Sequence, residues 1–344
     1  AGEKAFRADQ LFRWLHVRME RDLERMTDLP LALRQRLTLA ALLPMLTVVE
    51  APISQIDGAQ KFVLQRRSGE RLESVVMPMA GGWTTICISS QVGCKMGCDF
   101  CATARIAVRA DLTAGEIVEQ IAVACRIRAA AGDVRGGVAG GEDGPLAARP
   151  QNIVFMGMGE PLDNFDNVSA ALSILTDPRG YGFSPRRITV STVGLAKRVP
   201  QLVAAHPHVH LAWSLTATTD EVRAKLMPVN RGVPIARMVE ALLALPADNH
   251  RKITFEYALL AGVNDGDDDA RRLGAMALRL GAHVNAIPFN RWPGAPYHRP
   301  DRAVVARFAE LVAATGASVS LRKSKGQDIG AACGQLAGGA GLEA

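Results

Sequence analysis

The sequence predicts an α/β protein built on a full or partial (β/α)6 barrel, preceded by a helical region and a small β element. Three observations carry that expectation. Beyond Trp83, strand-like and helix-like segments alternate through six repeats, and successive βα units argue for a parallel sheet that curls into a barrel. Before Trp83 the apolar period is first helical and then strand-like. Pro- and Gly-rich turns separate these patterns. The expected division is residues 1–45, 46–82 and 83–344.

Over residues 6–43, Leu11, Phe12, Leu15, Met19, Leu23 and Met26 recur at helical spacing, with Arg and Lys between them. Over residues 46–79 the runs "KFVLQRR" and "RLESVVMP" flank Ser68-Gly69, the signature of a hairpin. The barrel strands expected next are "TTICISS", "NIVFMGM", "RRITVST", "VHLAWSL", "KITFEYALL" and "HVNAIPF", with a further one at "SVSLRKS". Helical patterns such as "LTAGEIVEQIAVACRIRAA" and "DDDARRLGAMALRLG" lie between them. In such a barrel, the loops after the C-terminal ends of the strands carry function. The Gly/Ala-rich residues 129–150 have no period and read as a flexible loop, and the tail "GGAGLEA" reads as frayed.

The 344 residues are 48% hydrophobic and 22% charged, an ordinary globular composition with enough length for a sizeable core. No apolar run approaches the roughly 20 residues of a membrane-spanning helix, and no signal-peptide pattern opens the chain. A cytoplasmic protein is expected. Forty Lys and Arg against 34 Asp and Glu leave a net charge of +6, which suits a polyanionic partner. Aromatics, at 5%, are fewer than a protein that stacks many single-stranded bases would carry.

Four of the six cysteines fall in "TTICISSQVGCKMGCDFCATA", residues 84–104. A secreted disulfide framework would be denser and smaller, so these read as reduced thiols serving as ligands or reagents. Cys94, Cys98 and Cys101 are spaced Cys-x3-Cys-x2-Cys, with Cys87 seven residues upstream. Structural zinc closes its tetrahedron with a fourth Cys or His, and none stands at short spacing here. A four-iron cluster held by three thiolates keeps one iron open. Cys125 lies in a helical apolar pattern and reads as core. His206, His208 and His210 read as a polar strand end in preference to a metal site. The basic run "LRKSKG", residues 321–326, reads as a phosphate contact.

The cysteine spacing, with Phe100 before the last thiol, resembles the radical S-adenosylmethionine (SAM) signature. Downstream, "VFMGMGEPLDNFDNV", "ITVSTVGL", "LMPVNR", "TFEYALLAGVND", "IPFN" with "PGAPY", and "DIGAACGQLAG" stand in the order and approximate spacing of the RlmN/Cfr family. These are radical SAM methyltransferases that act on adenosine in 23S rRNA. The resemblance covers nearly the whole chain, from about residue 6 to 338. It implies a partial (β/α)6 radical SAM barrel after a helical RNA-binding domain, which is expected to be truncated here.

The resemblance also implies roles. Cys94, Cys98 and Cys101 hold a [4Fe-4S] cluster, and two SAM molecules are used per turnover. Cys333, in "AACGQ", takes a methyl group from one SAM. The other is split to a 5′-deoxyadenosyl radical that removes a hydrogen from that methyl group, and the resulting carbon radical adds to the base. Cys87 helps remove the ring proton and forms a disulfide with Cys333. Glu73 matches a carboxylate proposed as proton acceptor, with one residue inserted between it and Cys87. Gly159, Glu160, Ser191, Ser214, Leu215, Thr216 and Asn290 fall where the family contacts SAM. Gly159 leaves room for backbone approach, and Glu160 accepts from the cofactor's amino group.

The implied partners are 23S rRNA, transfer RNA as in some relatives, and an electron donor such as flavodoxin, with a monomer and no membrane. The sequence departs from the family at Thr216, where His is usual, and in "RIAVRADL", with Ala107 for Gly and the Arg displaced to Arg109. Methylation at adenosine C2 is the expectation, with a Cfr-like C8 enzyme and an impaired RNA-binding paralogue as alternatives.

Overall fold

In the computed structural model, which describes residues 3–40, 43, 46–133, 144–250 and 253–338, the strands are β1 (Thr47–Glu50), β2 (Gln60–Gln65), β3 (Arg71–Pro78), β4 (Thr84–Cys87), β5 (Gln91–Val92), β6 (Ala110–Asp111), β7 (Asn152–Phe155), β8 (Ile188–Thr192), β9 (His210–Ser214), β10 (Ile253–Leu259), β11 (His283–Pro288) and β12 (Val319–Leu321). All but β5 and β6, which pair with each other, form one sheet in the order β1-β2-β3-β4-β7-β8-β9-β10-β11-β12. Pairing is antiparallel from β1 to β4 and parallel from β4 to β12. The sheet order is open at β1 and β12, so the barrel is partial, as expected.

The helices are α1 (Ala5–His16), α2 (Leu31–Ala40), α3 (Ala114–Ala130), α4 (Phe165–Thr176), α5 (Val199–Ala205), α6 (Asp220–Leu226), α7 (Ile235–Leu243), α8 (Ala247–His250), α9 (Asp267–Leu280) and α10 (Arg302–Ala314). Helix α3 starts where Thr113 and Glu116 form a reciprocal capping box, satisfying two of the amides that a helix N-terminus leaves open. Cys125 on this helix is fully buried in the main core, so packing is its role. Helix α9 ends at Gly281, whose φ of 63° supplies the left-handed turn that stops it.

The hairpin at Ser68-Gly69 is present as β2 and β3, with Gln65 opposite Arg71. It does not stand apart. Its second strand pairs with β4, Val75 lying opposite Cys87, so the small β element is the antiparallel edge of the barrel sheet.

The helical period of the first region does not continue through Met26. Helix α1 stops at His16, and Met19 adopts φ 54° before a short 3-10 turn, Leu23–Arg25. Burial explains the break. Met19 is buried in the barrel core, whereas Leu23 and Met26 join Trp14, Leu29 and Leu33 in a separate small cluster. Burying a methionine side chain contributes about 1.5–3 kcal/mol, which offsets the roughly 1–2 kcal/mol of a left-handed non-glycine residue. Beside it Arg21 Nε donates to Glu119 of α3 at 2.6 Å, tying the segment to the barrel.

Within residues 129–150, the stretch 134–143 lies outside the described residues. The part that follows is packed and not loose: Pro145–Ala148 forms a 3-10 turn with Leu146 and Ala148 buried, and Arg128 Nη1 donates to the Ala148 carbonyl at 2.6 Å. Of the "GGAGLEA" tail, residues 339–344 also lie outside the described residues.

Candidate active site

Inward-pointing residues alternate along every barrel strand, and their height along the strand decides which of two cavities they line. On β10, Thr254 and Glu256 line one and Glu256 and Ala258 the other; on β11, His283 and Asn285 are separated from Ile287 in the same way. The cavity lined by Ala258 and Ile287 lies at the C-terminal ends of the strands, and the second, lined by Thr254 and His283, at their N-terminal ends. The expectation that function sits after the C-terminal ends therefore covers half of the site.

The cysteine loop leaves β5 at Gly93, whose φ is 65° and where a Cβ would stand 2.5 Å from the Val108 carbonyl oxygen, so only glycine fits. Cys94, Cys98 and Cys101 line the C-terminal cavity together with Gly159, Glu160, Ser191, Ser214, Thr216, Asn290 and Cys333. The loop is held in place by others. Trp292 Nε1 donates to the Phe100 carbonyl (3.0 Å), Tyr297 Oη to Asp99 Oδ2 (2.9 Å), and the Ala102 amide to the Gly334 carbonyl (2.8 Å).

Burial pushes the Cys94 thiol up to about 12 and the Cys98 and Cys101 thiols upward as well. The negative charge of the other cysteines adds to this for Cys94 and Cys98, as does Glu160. Three thiolates and a carboxylate around one apolar cavity need a cationic group among them. Among the described residues no three His, Cys, Asp or Glu side chains converge on a single ion, although the three cysteines share one cavity. Three thiols facing one cavity are a donor set that fits an iron–sulfur cluster.

Glu160 is buried, and its pKa is raised to about 7 by burial, against amide donors from Val193 (2.8 Å) and Leu162 (3.1 Å). The Thr192 hydroxyl donates as well, which leaves one of the carboxylate's four acceptor positions for a ligand ammonium. Gly159 has φ 100°, and a Cβ there would stand 2.6 Å from the Gln91 side chain. Ser191 Oγ and Ser214 Oγ are 3.2 Å apart. Thr216 stands at φ 57°, an outlying conformation for a β-branched residue, with its carbonyl held by Asn264 Nδ2 at 2.5 Å.

Leu215 departs from its expected place. It faces the core between Ser214 and Thr216; its amide donates to the Glu256 carbonyl (3.1 Å), and its carbonyl accepts from Arg223 Nε (3.0 Å). Asn290 is at the cavity wall, but its amide group is engaged by protein. Its Nδ2 donates to the Cys333 carbonyl (3.1 Å), and its Oδ1 accepts from Gln327 (2.6 Å), so it positions the Cys333 loop.

Cys333 lines both cavities, whereas Cys87 lines only the second. Burial pushes Cys87 up to about 12, with Cys333 adding and Arg322 opposing; Cys333 is raised by burial, with Arg322 opposing and Glu256 adding. Glu73 lines neither cavity. It is buried on β3 and ion-paired with Lys61 at 3.5 Å.

The second cavity is basic, lined by Arg186, Arg187, Arg322, Lys323 and Lys325. Residues 322–325 of the basic run thus face the same space as Cys87 and Cys333. The sequence had not pointed to Glu256 or Asn285, and it marked Arg322 only as part of the basic run 321–326. Glu256 has its pKa raised by burial, opposed by Arg322 at 3.8 Å and by a 2.8 Å hydrogen bond from Asn285 Nδ2. A lone acid within the apolar strand "ITFEYAL" is the signal that could have found it. The His206–His210 repeat takes no part in either cavity; His206 Nε2 is 2.9 Å from Ser169 Oγ.

Comparison with known proteins agrees with this geometry. Residues 1–43 match the family described as the ribosomal RNA large subunit methyltransferase N-terminal domain. The chain is 43% identical over 337 residues to the dual-specificity RNA methyltransferase RlmN of Syntrophotalea carbinolica, covering 98% of this chain and 85% of that one. It is 42% identical to the probable dual-specificity RNA methyltransferase RlmN of Moorella thermoacetica, over 97% of this chain and 92% of the relative. A crystal structure of a radical SAM methyltransferase from Sphaerobacter thermophilus superposes with a TM-score of 0.87 at 38% identity, covering 97% and 93% of the two chains.

Proposed function

The chain belongs to the RlmN family of RNA methyltransferases of the radical SAM type, and from that premise we propose that it methylates C2 of an adenosine in 23S rRNA, with transfer RNA as a second substrate. The observation that carries the reading is the position of Cys333, which with Met156, Glu256 and Leu336 lines both an apolar, cysteine-lined cavity and a basic one. A sulfur there can accept a carbon on one side and deliver it on the other.

Cys94, Cys98 and Cys101 would hold a [4Fe-4S] cluster, and Glu160 with Ser191 and Ser214 would orient SAM against it. When bound, these groups supply hydrogen abstraction by a carbon radical, chemistry that a non-nucleophilic ring carbon of adenine requires. The protein's share is positioning and proton handling. Asn290 holds the Cys333 backbone, and Arg322 favours the thiolate forms of Cys333 and Cys87 against their burial. Cys87 would take the ring proton and pass it on, and its thiolate would then attack the Cys333 sulfur. The S–S bond forms as the bond from Cys333 to the new carbon breaks; that carbon keeps the electron pair and takes up a proton to become the methyl group, and an external dithiol reopens the disulfide. Glu73, ion-paired to Lys61, acts as a positioning residue behind β3. An electron donor of flavodoxin type and a monomeric state belong to the same proposal.

The test is nucleoside mass spectrometry on an unmodified 23S rRNA fragment incubated anaerobically with cluster-reconstituted protein, SAM and a reductant. The expected product is 2-methyladenosine, absent with Cys333→Ala. Formation of 8-methyladenosine would transfer the protein to C8 chemistry, and SAM cleavage without methylated RNA would overturn the substrate.

A further inference from the structure

The basic cavity lies at the N-terminal ends of the strands, and against two of its wall residues, Met79 and Arg187, stands an aromatic side chain that the catalytic roles leave unused. Of the four tryptophans, Trp14, Trp213 and Trp292 are buried, whereas Trp83 is 43% exposed. Trp83 immediately precedes β4, the strand that ends at Cys87. Arg187, which immediately precedes β8 and lines the basic cavity, places its guanidinium 4.4 Å from the centre of the indole. Arg187 Nη1 also reaches Asn152 Oδ1 of the cavity wall at 3.4 Å, so the cation is held between wall and ring.

The indole is held as well as exposed. The Met79 amide donates to the Trp83 carbonyl at 2.7 Å, closing the loop, and Gly81, at φ 76°, lies so near that a Cβ would stand 3.2 Å from Trp83 Cδ1. Met79, 45% exposed, lines the cavity beside it. An ordered, half-exposed indole backed by a cation beside a basic cavity has the two components of a single-stranded RNA site: a stacking surface and phosphate-neutralising charge.

We infer that Trp83 and Arg187 form a stacking subsite for an unpaired RNA base flanking the one that enters the cavity toward Cys333. The inference rests on the RNA-methyltransferase reading and deepens it. One base stacked on an aromatic ring strengthens binding by about 5- to 150-fold. That is enough to choose among adenosines by whether a neighbouring nucleotide can splay out onto Trp83.

Because Trp83 is the exposed tryptophan, its emission reports the contact directly. Titrating an in vitro transcript of a 23S rRNA fragment carrying the target adenosine into cluster-reconstituted protein is expected to quench tryptophan fluorescence. The quench is expected to vanish in Trp83→Phe, which retains most of the affinity because phenylalanine still stacks. Trp83→Ala is expected to weaken binding by about 5- to 150-fold, and to abolish the penalty that an abasic substitution at one flanking nucleotide imposes on the parent. RNA that binds without quenching, or abasic penalties equal in the parent and in Trp83→Ala, would overturn the subsite while leaving the RNA-methyltransferase reading standing. RNA that fails to bind the parent at low salt would overturn that reading and the subsite with it.

Discussion

The two cavities that meet at Cys333 are built from opposite kinds of residue. The one at the C-terminal ends of the strands is walled by thiols, glycines and apolar side chains such as Phe155, Val193, Ile287 and Phe289, with its buried carboxylates at Glu160 and Glu256. The one at the N-terminal ends carries Arg186, Arg187, Arg322, Lys323 and Lys325 on polar strand residues. A water-poor chamber protects a radical from side reactions, whereas a polyphosphate needs solvated cations and an open mouth. One chamber could not satisfy both demands. The barrel separates them by strand height, and the Cys333 loop, with Met156 and Glu256, spans the boundary.

Removing one of the three thiols proposed to hold the cluster is the strongest way to break this division. Cys98→Ala is expected to drop reconstituted iron from about four atoms per chain to near zero, and methyladenosine to background. RNA affinity should stay within about twofold, because the basic cavity lies at the other end of the barrel. Iron analysis, nucleoside mass spectrometry and an RNA-binding assay on one preparation check all three. A large loss of RNA affinity would mean that the cavities are one structural unit.

The complementary change acts on the other side. Replacing Lys323 and Lys325 together by Ala is expected to weaken RNA binding about tenfold and to lower the slope of log affinity against log salt by about 1.4, given roughly 0.7 per single-strand phosphate contact. Iron content and SAM affinity should not move. An unchanged salt slope would show that these lysines are a solvated turn and that Arg186 and Arg187 carry the phosphates.

How much of this division was legible depends on the distance over which each feature is encoded. The gathering of Cys94, Cys98 and Cys101 at one cavity was legible because three thiols on one loop are a local pattern, and the barrel strands because period-two alternation survives in short segments such as "RITVST". The break at Met19 was not, since its cause is a packing partner on the barrel, distant in sequence, and local periodicity continues past it. The pairing of Glu256 with Arg322 was hidden for the same reason: β10 and the segment after β12 become neighbours only through β11. Leu215 shows the converse limit. A matched motif covered three consecutive residues, but at a strand end the middle one points away from its neighbours and into the core.

The smallest expected effect sharpens the comparison through pH. Glu160 in the folded chain holds its proton up to about pH 7, because burial outweighs its two amide donors, whereas an exposed Glu ionises near 4.5. Between those values the unfolded chain loses a proton that the folded chain keeps. Folded Glu160 therefore contributes stability that is fully present below about pH 4.5 and is lost as pH rises to about 7, by up to about 3 kcal/mol at 1.36 kcal/mol per pH unit. Glu160→Gln removes this dependence. In denaturant melts of the metal-free protein, the difference in stability between parent and variant should shift in the variant's favour as pH rises from 5 to 7. Cofactor affinity should move the other way. On the proposed role of Glu160, an ionised carboxylate would receive the SAM ammonium and a neutral one would do so poorly, so the parent's affinity should climb over this interval while that of Glu160→Gln stays lower and flat. Parallel pH profiles for parent and variant, in both measurements, would mean that the carboxylate is already ionised in the apolar cavity, and that this chamber tolerates charge much as the basic one does.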